Sequence, residues 1–295
     1  MPAAAIIINR TRVRDVPRFR RQCGLAARAA GWEPTFAETS PADHGLGLAR
    51  DALAAGAGLV IAAGGDGTVR ACAHALAGTG VPLAIVPRGT ANLAARALGI
   101  PARLDASLAA AFGGRDRQVD LAEADGMPFA AMAGIGLDAA VVDGTPDLLK
   151  RHLGWLAYAA GGVTRLAGRR RVFTLRLDGG PPLARLARSV VVGNVGLLPG
   201  GFALLPDARL DDSLLDVGIL APASPAGWAR VAGRVVAGSR HDDLNLERRQ
   251  ARRVEIEAAT ELPREVDGEV ITPGRSLTVT LRPGVLLVRV PVPVS

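Results

Sequence analysis

Leu59-Val60-Ile61-Ala62-Ala63-Gly64-Gly65-Asp66-Gly67-Thr68-Val69-Arg70 is the stretch that decides how this chain folds. An apolar run of strand length stops at Gly-Gly-Asp-Gly-Thr, and a helical pattern follows at once, from Val69 to Leu76. Three glycines let the backbone approach a ligand closely and take positive φ. N–H groups at the start of the following helix can face an anion. Asp66, in the middle of the turn, would repel a phosphate unless a cation stood between them. The loop points to a nucleotide phosphate with a divalent metal, the chemistry of a kinase. The alternative is a tight βα turn with a purely structural use for its glycines.

The surrounding sequence extends the pattern. Residues 3–9, 33–39, 59–63 and 81–86 read as strands, and residues 16–30, 41–55 and 92–98 as helices, with Ser40 as N-cap of the second. Such alternation argues for a parallel sheet with helices on both faces. Ligands of these sheets bind at the carboxyl ends of the strands, where residues 64–68 and 87–92 both fall. Beyond about residue 120 strand-like segments dominate: 129–133, 172–177, 189–194, 215–220, 253–258, 276–281 and 286–290. Turn signals such as Asp178-Gly179-Gly180-Pro181 separate many of them, and helical patterns interrupt at 148–166 and 225–236. The expectation is an α/β domain over 1–120 and a mainly antiparallel β domain over 121–295, with a ligand cleft between them.

Composition narrows the class. Of 295 residues 49% are apolar, enough for a large core, while aromatics are only 3%, so Ala, Val, Leu and Gly must fill it. Cys23 and Cys72 lack metal-ligand spacing and read as small buried apolar groups. His44, His74, His152 and His241 likewise show no ligand spacing. The start lacks the basic and long apolar regions of a signal peptide, and no apolar stretch is long enough to span a bilayer. A cytoplasmic protein is expected. Its charge of +7 comes almost wholly from arginine, Lys150 being the single lysine. That balance suits an anionic surface such as the inner membrane leaflet, or simply a solvated basic surface. No nucleic-acid motif accompanies it. With one lysine, in neither context, the chain has no Walker A loop and no protein-kinase strand lysine. Phosphate charge would fall to backbone amides, arginines and metal.

A second turn of the same kind is Val86-Pro87-Arg88-Gly89-Thr90-Ala91-Asn92, again after a strand and before a helix. Gly89 allows close approach, and Thr90 and Asn92 offer hydrogen bonds to a ligand or cap the helix themselves. These two turns, Ala97-Leu98-Gly99-Ile100-Pro101, Gly134-Ile135-Gly136-Leu137-Asp138, Gly200-Gly201-Phe202, Pro206-Asp207-Ala208, Asp211-Asp212-Ser213-Leu214-Leu215-Asp216 and Val266-Asp267-Gly268-Glu269 form an ordered set across residues 59–269. In that order the chain resembles the diacylglycerol kinase catalytic-domain family, in its bacterial soluble lipid-kinase branch.

The resemblance implies a phosphofructokinase-like N-terminal domain, a C-terminal β-sandwich and ATP in the cleft. It implies transfer of the γ-phosphoryl group to a lipid hydroxyl, diacylglycerol or similar. Carried over, Gly64, Gly65, Asp66, Gly67, Thr68, Val69 and Arg70 line the nucleotide phosphates, with Asn9, Thr39, Gly89, Thr90 and Asn92 around ATP. Glu269 matches the proton acceptor, and Asp66 and Asp267 are oxygen donors suited to Mg²⁺. Asp212 would hold a structural magnesium with the carbonyls of Arg209 and Leu214. The chemistry is coherent, since a lipid alcohol needs a carboxylate to take its proton and phosphoryl transfer needs positioning and charge cancellation. Other readings stay open: Asp267-Gly268-Glu269 as a solvated β-turn, and Asp211-Asp212 as a hairpin turn in which Ser213 replaces the family's usual glycine. The first strand ends Asn9-Arg10-Thr11-Arg12-Val13 where the family has proline and glycine. Arg10 or Arg12 there would reach the phosphates or stay solvated.

Residues 148–165, with Trp155 and Tyr158 between Lys150, Arg151 and Arg165, suit peripheral contact with an anionic membrane; a helix packed on the β domain is the plainer alternative. Oligomeric state is not written in the sequence, and a homodimer is compatible with it. NAD kinase, which shares a Gly-Gly-Asp-Gly-Thr loop, is the competing activity, and a non-catalytic nucleotide- or lipid-binding protein the competing class. Gly89-Thr90-Ala91-Asn92 and Pro199-Gly200-Gly201 favour the lipid kinases; intact Asp66 and Glu269 favour catalysis.

Overall fold

Apolar runs without alternation are the signature of strands buried on both faces, and the first unit is built on them. The structure is a computed structural model that describes residues 1–136 and 169–292. It divides into two compact units, Met1–Leu121 with Pro283–Ser295, and Ala122–Arg282. The first contains β1 (Ala3–Ile8), α1 (Val16–Ala29), β2 (Glu33–Glu38), α2 (Leu46–Ala54), β3 (Ala57–Gly64), α3 (Asp66–Leu76), β4 (Leu83–Pro87), α4 (Leu93–Ala97) and α5 (Leu104–Gly113). β5 (Arg115–Ala124) leads out of it.

The sheet order is β2-β1-β3-β4, all parallel, with register pairs Ile6↔Phe36, Ile6↔Ile61 and Ile61↔Ala84. Ala4, Ile6, Ile8, Leu59, Ile61, Ala63, Ala84 and Val86 face a core shared with Val13, Phe19 and Cys23, and with Leu108 and Ala111 of α5. The intervening Ile7, Val60, Ala62, Leu83 and Ile85 are equally buried, which is why no polar residue interrupts these strands. Each fully buried Ile or Leu contributes about 1.5–3 kcal/mol relative to exposure, so this sheet holds its loops rigidly.

Two local features depart from the sequence reading. The second helix begins at Leu46, not near residue 41, and Ser40 does not cap it. The Asp43 carboxylate instead accepts N–H bonds from Gly45 (2.7 Å), Gly47 (3.3 Å) and Leu48 (2.9 Å), while Ser40 Oγ accepts from Asp43 N–H (3.1 Å). These bonds hold residues 40–45 as a turn. The last residues, assigned from sequence to the β domain, group with the first unit: Val288 and Arg289 pair in parallel with Leu83 and Ala84. Arg289 is held there by Asp116, through Nε at 2.7 Å and Nη2 at 3.0 Å.

The second unit is an antiparallel β-sandwich. It contains β6 (Met127–Phe129), β7 (Met132–Ile135), β8 (Arg171–Leu177), β9 (Leu183–Ala187), β10 (Ser189–Gly193), β11 (Leu215–Leu220), α6 (Pro225–Val236), β12 (Leu246–Ala251), β13 (Arg253–Val266) and β14 (Glu269–Val290), the last crossing into the first unit at Pro283. β12, β11, β10, β7 and β13 pair in that order. β13 is irregular between Glu257 and Arg264; before that point it pairs with β8 and after it with β7. Phe129, Ile135, Phe173, Leu175, Val190, Leu215, Val217 and Leu277 pack the interior. Ser224 caps α6, accepting from Gly227 N–H at 3.2 Å. The segment 148–165 and Leu137-Asp138 lie outside the described residues, and no described helix is long and apolar enough to cross a membrane.

Candidate active site

Parallel pairing brings the ends of β2, β1, β3 and β4 to one edge of the sheet, and the residues that follow them are those singled out from sequence. Thr39 follows β2 and donates its N–H to Ile8 O (2.9 Å); Asn9 follows β1 and donates its N–H to Ala63 O (2.9 Å). Gly64 ends β3, Gly65 follows it and Asp66 to Thr68 open α3, while Arg88 to Asn92 follow β4. Arg88 N–H donates to Gly64 O at 2.8 Å, tying the two glycine turns together.

The glycines are needed for space. A Cβ on Gly64 would stand 2.5 Å from Thr68 Oγ1, and one on Gly89 would stand 2.6 Å from Gly65 Cα and 2.7 Å from Asn92 Oδ1. The two turns therefore abut backbone to backbone. Gly65 caps α3 and its carbonyl accepts from Thr68 N–H (3.0 Å) and Val69 N–H (3.1 Å). Gly67 is exposed with open space around it.

Several residues assigned to the nucleotide are engaged within the protein. Thr68 is buried, and its Oγ1 accepts from Asn9 Nδ2 at 3.0 Å. Asn9 Oδ1 accepts from Thr11 N–H (3.0 Å) and Thr11 Oγ1 (2.7 Å), which shapes the turn that lacks the family's proline and glycine. Val69 is a core residue and Arg70 is half-buried. Asn92, in the left-handed region at φ 48°, accepts from Gly89 N–H and donates to Gly89 O, both at 2.8 Å. Thr90 is exposed and Thr39 half-buried. Arg10 is ion-paired to Glu38 (Nε–Oε2 3.1 Å), whereas Arg12 is exposed.

Asp66 sits between the turns. Its Oδ1 accepts from Ala94 N–H (3.4 Å) at the start of α4. Burial pushes its carboxyl above the usual range, and the N–H groups of Ala94, Leu93 and Asn92 oppose that shift.

In the second unit, Asp267 (φ 51°) and Gly268 (φ 79°) form the two-residue hairpin between β13 and β14, with both central residues at positive φ. Asp267 Oδ2 accepts from Ala130 N–H (2.8 Å), and Oδ1 from Ala131 (2.8 Å) and Met132 (3.2 Å). Its own N–H donates to Met132 O at 2.8 Å. The carboxylate clasps the hairpin to the start of β7. Glu269, the next acid, is exposed at the first position of β14. Glu265 stands two residues before Asp267 on β13; burial raises its carboxyl and the Asp267 charge adds to the rise.

Asp212 Oδ1 accepts from Leu214 N–H at 3.1 Å, with Ser213 between them at φ 62°, a conformation glycine takes without strain. Arg209 Nε lies 3.6 Å from Asp211 Oδ1. Buried Asp216 accepts from Gln250 Nε2 (3.2 Å) on one oxygen, and its Oδ2 is buried without a partner. Its carboxyl is pushed up to about 7, by burial first, with the Asp212 and Asp207 charges adding. Such an excess of acid suits a hard cation, so these residues fit magnesium. No group of three or more His, Cys, Asp or Glu among the described residues is placed to hold a metal alone. Backbone carbonyls, such as those of Arg209 and Leu214, would complete the set.

Arg88, Asp216 and Glu265 were given no role from sequence, although each lies inside a quoted motif or beside one. The legible signals were an acid isolated in an apolar strand for Asp216 and the alternation Glu265, Asp267, Glu269.

A parallel α/β unit with abutting glycine turns, followed by an antiparallel sandwich, is the architecture of a known class. Residues 3–124 match the family model for the diacylglycerol kinase catalytic domain, and residues 131–290 match that for the YegS C-terminal NAD kinase beta sandwich-like domain. The chain belongs to the diacylglycerol kinase catalytic-domain family. It is 36% identical over 279 residues to the "Probable lipid kinase YegS-like" protein of Pseudomonas aeruginosa, covering 92% of this chain and 89% of that one. It is 32% identical over 278 residues to the "Diacylglycerol kinase" of Bacillus subtilis, covering 91% and 90%. In fold it is similar to a diacylglycerol kinase structure from Bacillus anthracis (TM-score 0.76, 21% identity, 98% and 96% covered). It is similar more distantly to an NAD kinase from Archaeoglobus fulgidus in complex with ATP (TM-score 0.55, 13% identity, 97% and 93% covered).

Proposed function

We propose that the chain is a lipid kinase that moves the γ-phosphoryl group of ATP to the hydroxyl of diacylglycerol or a similar lipid. The observation that carries this reading is the pair of abutting glycine turns at the carboxyl edge of the parallel sheet. Family membership and the names of its relatives support the lipid as acceptor, and a 13% identical NAD kinase supports only a shared fold.

The backbone of Gly64 to Thr68 and of Gly89 would cradle the polyphosphate. Buried Thr68 and half-buried Asn9 hold the shape of that cradle, and Asn92 closes Gly89 by its two amide bonds. Asp66 would hold the magnesium of the nucleotide, which supplies charge cancellation when bound, and Asp212, with the Arg209 and Leu214 carbonyls, would hold a separate structural magnesium. Glu269 takes the proton of the lipid hydroxyl as its oxygen bonds to the γ-phosphorus. The bond from that phosphorus to the β–γ bridging oxygen breaks, and ADP leaves with the electron pair. Asp267 acts on the reaction only by fixing the hairpin that carries Glu269. Peripheral attachment to an anionic membrane would bring the lipid within reach.

The test is incubation with labelled ATP, Mg²⁺ and, separately, diacylglycerol, a sphingoid base, phosphatidylglycerol and NAD. Label is expected in a lipid. Label in NAD alone would make the chain an NAD kinase, and label in no acceptor under varied lipid presentation would leave a binding protein.

A further inference from the structure

Helices α1 and α5 pack on one core, through Phe19 and Cys23 of the first and Leu108 and Ala111 of the second. Above that core they stand apart along an apolar groove of about 800 Å³. Leu25, Ala26 and Ala29 line it from α1, and Leu108, Ala109 and Phe112 from α5. The alanines are too small to close the gap. Leu25 is 65% exposed, and Ala29 and Ala109 are exposed as well. A cavity of this size is in the range that holds a small ligand, and a contiguous exposed apolar surface marks an interaction site. The kinase scheme uses none of these residues.

The end of the groove nearer the start of α1 is positive. Gln22 begins the α1 wall. Arg18 precedes Gln22 by four residues and Arg21 precedes Leu25 by four, so each shares a helix face with its wall residue, and the two arginines are neighbours. Both are exposed, and neither is ion-paired among the described residues, whereas Arg20 meets Glu38 (3.7 Å) and Arg28 meets Glu33 (3.8 Å). The acids nearest in sequence are engaged. Asp15 caps α1, accepting from Arg18 N–H at 2.9 Å, and Asp105 is held by Arg103 through Nε (3.2 Å) and Nη2 (2.8 Å). An apolar groove with unpaired cations at one end matches an anionic amphiphile. A second copy of the chain fits it less well: two-fold pairing would bring the free arginines of both copies together, on chains that each carry a charge of +7.

We infer that the groove between α1 and α5 holds the acyl chain of an anionic lipid, with Arg18, Arg21 and Gln22 at its headgroup. Each methylene buried there raises affinity about fourfold, and each arginine beside an anionic headgroup adds about fivefold. A bilayer lipid held in this way would tie the first unit to the membrane surface, apart from whatever lipid the kinase phosphorylates. The groove shares no residue with the glycine turns, so its occupation does not depend on the kinase reading.

The test is calorimetric titration of the wild type and variants with oleoyl lysophosphatidic acid, oleoyl lysophosphatidylcholine and glycerol phosphate, beside sedimentation of the ligand-free proteins. The wild type should bind the anionic lipid about tenfold or more tighter than the zwitterionic one, since two arginines meet its headgroup. Glycerol phosphate, which has no chain, should bind far more weakly than either. Ala109→Trp, at an exposed position of α5, fills the groove. It should weaken lysophosphatidic acid about tenfold or more while melting temperature and ATP affinity are unchanged. The double variant Arg18→Gln, Arg21→Gln should bring lysophosphatidic acid down to the level of lysophosphatidylcholine. If Ala109→Trp does not fold, Leu25→Glu, at a side chain already exposed, takes its place with the same readouts. A wild type that binds neither lipid overturns the inference. An Ala109→Trp protein that binds lysophosphatidic acid within about twofold of the wild type puts the lipid elsewhere and overturns it too, and both results leave the labelling test of the kinase untouched. Glycerol phosphate binding as tightly as the lipid would reveal an anion site without a chain groove, and a ligand-free dimer that Ala109→Trp dissociates would reveal a second copy in the groove; either overturns the lipid assignment.

Discussion

The carboxylate of Asp267 accepts three backbone N–H bonds from Ala130, Ala131 and Met132 at 2.8, 2.8 and 3.2 Å. Its removal should therefore be felt first in stability. Hydrogen bonds to a charged group contribute roughly 1.5–3 kcal/mol each. Asp267→Asn keeps a carbonyl oxygen for Ala131 and Met132 and tolerates φ 51°, but it sets an amide NH₂ against Ala130 N–H. The expected loss is one charged bond, about 1.5–3 kcal/mol, which for a chain of this size lowers the melting temperature by roughly 5–10 °C. Asp267→Ala loses both acceptor oxygens, and with them all three bonds, and adds left-handed strain of about 1–2 kcal/mol, so it should melt lower than Asp267→Asn. Near-UV circular dichroism during heating, which follows tertiary packing, measures both. An Asp267→Asn protein that melts within about 2 °C of the wild type would refute the clasp and return Asp267 to direct chemistry at the reacting groups.

Glu269→Gln should bind ATP as the wild type does while kcat falls by about 10²–10⁴, the usual contribution of a general base; equal turnover by steady-state assay removes Glu269 from the mechanism. Gly89→Ala would drive a Cβ to within 2.6 Å of Gly65 Cα; overpacking of this kind costs about 1–3 kcal/mol, and calorimetry should find ATP binding lost. Asp216 carries a pH signature. Its carboxyl rises from 3.8 to about 7 on folding, so the wild type is penalised once the group ionises, fully above about pH 7 and not at all below about pH 4. A rise of about 3 pKa units corresponds to ~4 kcal/mol. In chelator, Asp216→Asn should thus gain up to that much over the wild type in urea unfolding at pH 8 and nothing at pH 4; a gain equal at both pH values would contradict the assignment. Adding Mg²⁺ at pH 8 should narrow the difference if the acids around Asp212 hold the ion.

Strands β1, β3 and β4 were legible because burial on both faces removes polar residues from them, as Ile6-Ile7-Ile8 and Leu59-Val60-Ile61 show. The glycine turns were legible because only glycine fits where Gly64 and Gly89 meet Thr68 and Gly65. Helix α5 leaves little sequence signal: its Ala-rich stretch lacks contrast between faces, and Arg103 gives its N-terminus no side-chain cap. The start of α2 is ambiguous in the sequence because Ser40 and Asp43 are both capping residues, and only the geometry shows Asp43 gathering the N–H groups. Segment 286–290 was recognised as a strand, but its partner, β4, lies some two hundred residues earlier and leaves no local trace. In the site, residue types were legible and their engagement was not. Asn9 and Thr68 are chemically able to meet ATP, yet they face each other at 3.0 Å.

The return of β14 to the first unit sets an order of events on the ribosome. β4 is paired on one side by β3 and on the other by Val288 and Arg289. Roughly 200 residues separate the two strands, which at a synthesis rate of about 5–20 residues per second is on the order of 10–40 s. Throughout that interval the N-terminal unit has an open edge of unpaired backbone groups beside Leu83 and Ala84, the kind of edge that recruits foreign strands. Nascent chains should therefore need a chaperone, or a slow codon region placed elsewhere, most during synthesis of the sandwich.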